Sequence, residues 1–176
     1  PNGAYLSVYQ SNSNTCKFLW AGSDVPGYVS LTFHRDNFTT TLNDKGLSYC
    51  LIGTIGQNTA DPNDCPASAL DGVPPQTGDF GGVTSSNTDA NLQVYEPVVA
   101  SAPITSVRWY GIATNTLGAE CEPSGLQFQV GFYENGTVPG NPIDVRNVTA
   151  TVSDTSQLLI GKTLYQFDAI LPTPVT

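Results

Sequence analysis

Positive charge is scarce in this chain. Six Lys and Arg and one His stand against fifteen Asp and Glu, giving a formal net charge of −9. No basic cluster occurs, and nucleic acids and anionic membrane surfaces need concentrated positive charge, so neither is an expected partner. Methionine is absent, Glu and Lys are few, and no window of about 11 residues carries a 3.6-residue apolar period; little or no helix is expected. No apolar run is long enough to span a membrane. The cysteines form no CxxC pair, and a single histidine is too few for the usual zinc sets. A GxSxG-type nucleophile turn is missing, as is a phosphate-cradling glycine loop ahead of a helix. The chain begins at Pro1 without Met or a signal peptide, as expected of a mature product or a piece of something longer.

What the chain does contain is Gly, Pro, Ser, Thr and Asn in quantity, with short alternating segments between them. Its 176 residues suffice for one domain with a sizeable core. The segments are Ala4 to Tyr9, Cys16 to Trp20, Val29 to Phe33, Phe38 to Leu42, Leu47 to Ile52, Asn91 to Val99, Ile104 to Gly111, Leu126 to Tyr133, Asp144 to Val152 and Leu164 to Leu171. Turn signals such as Pro26-Gly27, Asn135-Gly136 and Pro139-Gly140 separate them. The expected fold is all-β, a jelly-roll-like sandwich of two antiparallel sheets with about ten strands. Between Gly53 and Gly82 alternation stops, so this segment is expected to be a connector, unusually long for a compact domain. No internal repeat is visible.

Four cysteines, Cys16, Cys50, Cys65 and Cys121, predict two disulfides and an oxidising compartment; three pairings are open. The strand Ile104 to Gly111 should be half-buried, with Val107 and Trp109 facing a core and Ser106 and Arg108 facing away.

Candidate sites are sparse. His34 falls on the outward face of its strand, beside Arg35 and Asp36, and reads as a solvated strand residue. Glu96, Glu120, Glu122 and Glu134 fall in or beside predicted turns; paired carboxylates for glycoside hydrolysis are a matter of three-dimensional spacing. No catalytic constellation emerges, and the chain is not expected to be an enzyme. Trp20, Trp109, Tyr110 and Tyr133 could form an aromatic platform for glycans, with Tyr110 and Tyr133 facing outward; the competing reading makes the tryptophans core anchors. Asp61, Asn63, Asp64 and Asp71 offer oxygen ligands of the kind calcium prefers, in a spacing that equally suits a polar turn. Three N-x-Thr sequons begin at Asn37, Asn135 and Asn147. No cofactor other than calcium is suggested.

Three stretches, ITSVRWYG from Ile104, LQFQVGFYENGTVPGNPI from Leu126 and YQFDAILPTPV from Tyr165, resemble a class of secreted bacterial β-sandwich modules. In that class a Trp-aromatic-Gly strand precedes a Phe-Tyr strand, a Pro-Gly turn and a Tyr-containing strand ending in Pro-Val. The class continues with an aromatic strand, a Trp-containing strand and a closing Cys-Leu-x-Gly strand. Here those later elements occupy residues 2 to 53, ahead of the others, and Leu6 replaces one aromatic of the usual pair. The resemblance implies three regions: 1–53 as late strands of a sandwich, 54–82 as the connector, and 83–176 as early strands. A tandem repeat with a shifted boundary, strand sharing between subunits and a circular permutation each account for that order. The first two imply an extracellular or cell-surface structural subunit of a filament or array, joined to copies of itself head to tail. Its seam would run through Ala4, Leu6, Val8, Phe167, Leu171 and Val175, and Trp109 would anchor a core that a neighbouring unit completes. The alternative is a carbohydrate-binding or adhesive module of a larger secreted protein.

Overall fold

The computed structural model describes residues 3–12, 15–23, 30–34, 39–42, 46–53, 65, 69–75, 82–88 and 90–176. Among them are thirteen strands: β1 (Ala4–Gln10), β2 (Cys16–Ala21), β3 (Leu31–His34), β4 (Thr39–Leu42), β5 (Tyr49–Ile52), β6 (Ala69–Val73), β7 (Val83–Ser85), β8 (Leu92–Val98), β9 (Ile104–Asn115), β10 (Phe128–Glu134), β11 (Pro142–Val148), β12 (Thr151–Leu159) and β13 (Lys162–Val175). The only helical element among the described residues is a 3-10 turn, Pro123–Gly125.

Two antiparallel sheets pack face to face, as the alternation predicts. One has the order β11-β10-β1-β8-β3-β4; the other runs β12-β13-β9-β2-β7, with β5 paired to β9 and β6 to β5. Between them lies a core of apolar side chains, including Leu6 and Val8 of β1, Phe18 and Trp20 of β2, Trp109 of β9 and Phe167 of β13. Trp109 stacks on Phe167 at 5.7 Å, and Phe128 meets both rings edge-on at 5.1 and 5.3 Å. Such ring pairs add about 0.5–1.5 kcal/mol each beyond the area they bury.

Strand β9 is the hub. On one side it pairs with β13; on the other it pairs first with β5, over Ser106 to Trp109, and then with β2, over Gly111 to Asn115. Gly111 stands where that flank passes from β5 to β2, and a β-carbon there would collide with the Phe18 ring and the Leu19 carbonyl. Only glycine lets β2 come this close. The strand is also buried on both faces, not one. Arg108, Tyr110 and Ile112, on the side away from the core, are covered by a second apolar cluster with Ala21, Cys50, Leu159 and Leu164.

The strands assigned by resemblance to a neighbouring unit are paired inside this chain. β1 lies between β10 and β8, β2 between β9 and β7, and β5 between β9 and β6. Leu6, Val8, Phe167, Leu171 and Val175 belong to one core, with Ala4 packed against it. The sandwich that Trp109 anchors is therefore completed by residues of the same chain.

Three strand assignments change: β7 at Val83–Ser85, ahead of the predicted Asn91 to Val99 strand, pairs with β2, and two others differ. The 54–82 segment contains β6, whose inward side carries Asp71 next to the core residue Val73, so the apolar alternation is broken there. The Asp144 to Val152 run is two strands in different sheets: β11 pairs with β10, and β12 with β13.

Candidate functional site

Disulfides join Cys16 to Cys121 and Cys50 to Cys65, and no described cysteine is free. The first ties the start of β2 to the loop after β9. The second ties β5 to the segment that precedes β6. Two disulfides fit an oxidising setting. No helix of the described residues is long and apolar enough to cross a membrane.

The proposed aromatic platform is not assembled. Tyr110 is fully buried in the second cluster, on the outer face of the sheet containing β9. Tyr133 lies on the outer face of the opposite sheet, with Tyr5 and Tyr95. There its distal ring occupies the space a β-carbon of Gly131 would need, its hydroxyl accepts from Gln93 Nε2 at 3.1 Å, and its ring meets Tyr95 edge-on at 5.1 Å. Both tryptophans are core anchors. Trp20 donates from Nε1 to the Ser48 carbonyl at 2.8 Å.

The cleft with the most suitable mixture of groups is elsewhere. It has a volume of roughly 470 Å³ and is lined by Glu122, Ser124, Ala150, Val152, Asp154 and Tyr165. Its origin is local. Asp154 of β12 and Tyr165 of β13 are cross-strand partners, and Val152 is one step along the same face, opposite Phe167. Alternation thus places an acid, a ring and an apolar side chain on one surface. Beyond Asp154 the pairing is interrupted before it resumes at Leu158. In the interruption Ser156 adopts φ 60° and donates its N–H to Asp154 Oδ1 at 2.7 Å. From the other side, the 3-10 turn at Pro123 brings in Glu122 and Ser124, with buried Pro123 as its foot.

Burial, followed by the charges of Glu122, Glu120 and Asp154, raises the Tyr165 hydroxyl above its ordinary value. The phenol therefore stays neutral and able to donate. The neighbouring Glu120 carboxyl is held low, chiefly by the N–H of Thr163, with a smaller contribution from Lys162. The cleft offers a ring to stack against, carboxylates that accept from hydroxyls, and hydroxyls of its own. This is a set suited to a polyhydroxylated ligand. The chain order hides the site, because Glu122 and Ser124 sit at a turn well before the Ala150 to Asp154 stretch and Tyr165 of β13. The legible signal was the in-phase placement of Asp154 with Val152 and of Tyr165 with Phe167.

The other candidates disperse. Glu134 caps the turn after β10, its Oε2 accepting from Asn141 Nδ2 at 3.0 Å. Glu120 accepts from Thr163 N. Glu96, expected beside a turn, lies within β8 and is fully buried. Asp71 accepts from the Tyr49 hydroxyl and from Val99 N, each at 2.8 Å. Asp61, Asn63 and Asp64 lie outside the described residues, and among the described residues no three His, Cys, Asp or Glu side chains converge as metal ligands do. His34 is in register with Leu92 and Thr39. Arg35, Asp36 and the Asn37 sequon lie outside the described residues, whereas Asn135 and Asn147 are exposed. At the end of the sandwich where β1 starts and β13 finishes, Ala4, Val98, Ile104, Phe132, Ile143 and Val175 line an apolar groove of about 340 Å³.

No family model matches the chain, and neither a curated protein nor a solved structure is significantly similar to it.

Proposed function

We propose that this chain is an extracellular or cell-surface module that binds carbohydrate through the cleft at Tyr165, and that it performs no chemistry. The carrying observation is the convergence of Tyr165 with Glu122, Asp154 and Ser124 over an apolar floor of Ala150 and Val152. A sugar ring presents apolar C–H faces and a rim of hydroxyls, and this cleft offers partners for both. The two disulfides and the resemblance to secreted modules support the setting. The net charge of −9 argues against nucleic acid and anionic membranes as partners. The test is a glycan array followed by calorimetry on wild type and Tyr165→Leu. The variant keeps apolar volume while losing the ring, and binding should weaken about tenfold, or about 1.4 kcal/mol. A wild-type protein that binds no glycan on the array overturns the reading.

The groove lined by Ala4, Ile143 and Val175 favours a second reading: a structural subunit that contacts copies of itself head to tail in a filament or array. Such contacts would be made between surfaces, because β1, β2 and β5 already have partners on both sides. Sedimentation and electron microscopy over a range of concentrations separate the two. Concentration-dependent growth into linear assemblies favours the subunit, and a monomer that retains glycan binding favours the module.

A further inference from the structure

One buried acid takes no part in the cleft. Glu96 of β8 points between the sheets in phase with Val94 and Val98, and its residue has no exposed surface. Its Oε2 accepts from Leu47 N at 2.8 Å, across to the segment that leads into β5 of the other sheet. Its Oε1 is buried with no hydrogen-bond partner. Beside it Asp71 of β6 spans the same gap, held by Tyr49 of β5 and by Val99 N at the end of β8.

The groups that face Glu96 decide its charge. Leu6 is its cross-strand partner on β1; Leu47 supplies the single N–H; Tyr49 donates to Asp71 instead. Asp71 repels a second negative charge. The described cations are engaged elsewhere: Arg108 with Asp168, Arg146 with Asp144, Lys162 near Glu120, and Lys17 on β2 opposite Thr114. An ionised carboxylate here would be a buried charge beside another of its own sign, which is far costlier than a neutral acid with one hydroxyl left unpaired.

We infer that Glu96 is a pH-sensitive latch between the two sheets: it sits in the joint as a neutral carboxylic acid, and loss of its proton leaves a buried charge beside Asp71 that only opening of the joint to water relieves. Burial first, then Asp71, moves its value from 4.5 up to about 9, with the Leu47 N–H opposing. Between those two pH values the folded chain keeps a proton that the unfolded chain releases. The stability Glu96 contributes is complete below about 4.5 and is lost as pH rises towards 9. One proton corresponds to about a tenfold increase in the unfolding constant per pH unit within that window.

The experiment is denaturant unfolding of wild type and Glu96→Gln at pH 5, 6, 7 and 8. The ratio of their unfolding constants isolates this site from every other titration. It should rise about tenfold per unit, so that Glu96→Gln gains on wild type as pH increases. A flat ratio overturns the latch. If Glu96→Gln does not fold, carbon-13 NMR of the wild-type carboxyl decides the question. A Glu96 signal still protonated at pH 7 supports the latch, and one that titrates in the ordinary carboxylate range overturns it.

Discussion

The two sheets are joined differently on their two sides. Around β2, β9, β10 and β13 the joint is aromatic: five ring pairs among Phe18, Trp109, Phe128 and Phe167 lie at 5.1 to 5.7 Å, and Cys16–Cys121 fastens the start of β2. Around β5, β6 and β8 the joint is directional. Glu96 reaches Leu47, Asp71 holds Tyr49 and Val99, and Cys50–Cys65 secures the segment leading into β6. The aromatic side draws its strength from area removed from water and is indifferent to pH. The polar side depends on distances and protonation states, and each group in it is exposed to the fate of its partner.

The two disulfides should separate the sides most widely. Cys16–Cys121 spans 105 residues and Cys50–Cys65 spans 15. On the chain-entropy account, replacing the first pair by Ser costs about 4.7 kcal/mol and the second about 3 kcal/mol. Urea unfolding of the two double variants measures the gap. Equal losses would show that residual structure in the unfolded chain already holds the long loop.

Phe167→Ala should cost about 3–5 kcal/mol, since it removes a ring that meets four others and leaves a cavity. Its loss should be the same at pH 6 and pH 8, in contrast to the behaviour of Glu96→Gln. A loss that changes between those pH values would mean the sides are coupled. The smallest effect is expected from Asp71→Asn, about 1 kcal/mol, because both hydrogen bonds go to one oxygen, Oδ2, which the amide oxygen can replace as a weaker acceptor while the charge beside Glu96 disappears. In that variant a carboxyl NMR titration should find Glu96 losing its proton at a lower pH than in wild type.

How much of this the sequence discloses follows from what alternation reports. It reads one strand at a time, and where the two faces differ it reads well. The Leu126 to Tyr133 run became β10, and Trp109 proved to be a core residue. Alternation does not report which sheet a strand joins. Val148, Ala150 and Val152 keep their period while the chain crosses from β11 in one sheet to β12 in the other, so a sheet change resembles a continuous strand. It also cannot tell an outward face from an exposed one. Tyr110 does face away from the core, but a second layer anchored by Cys50 and Cys65 covers it. Polar residues at inward positions are read as breaks. From sequence Glu96 reads as a residue in or beside a turn and Asp71 as part of a polar turn, yet Glu96 keeps strict phase with Val94 and Val98. The cysteine count foretold two bridges, and only three-dimensional proximity could select the pairing. The cleft around Tyr165 was the least legible, since its residues come together only when β12, β13 and the turn at Pro123 are in place.

The position of β9 bears on time as well as on stability. Its three partners are separated from it by long stretches of chain, with β2 and β5 before it and β13 after. Apart from the tight turn at its end, where Thr114 bridges Glu120, β9 pairs with no strand next to it in sequence, and each of its strand partners requires closing a large loop first. A chain wired this way belongs with slowly folding β-sandwiches, which reach the native state in milliseconds to seconds. During synthesis, β2 and β5 would emerge well before the strand that organises them. Until β9 arrives, β2 has only β7 and β5 only β6 to pair with among the described strands, each carries a cysteine, and that interval is when association with another chain or a wrong disulfide is most accessible.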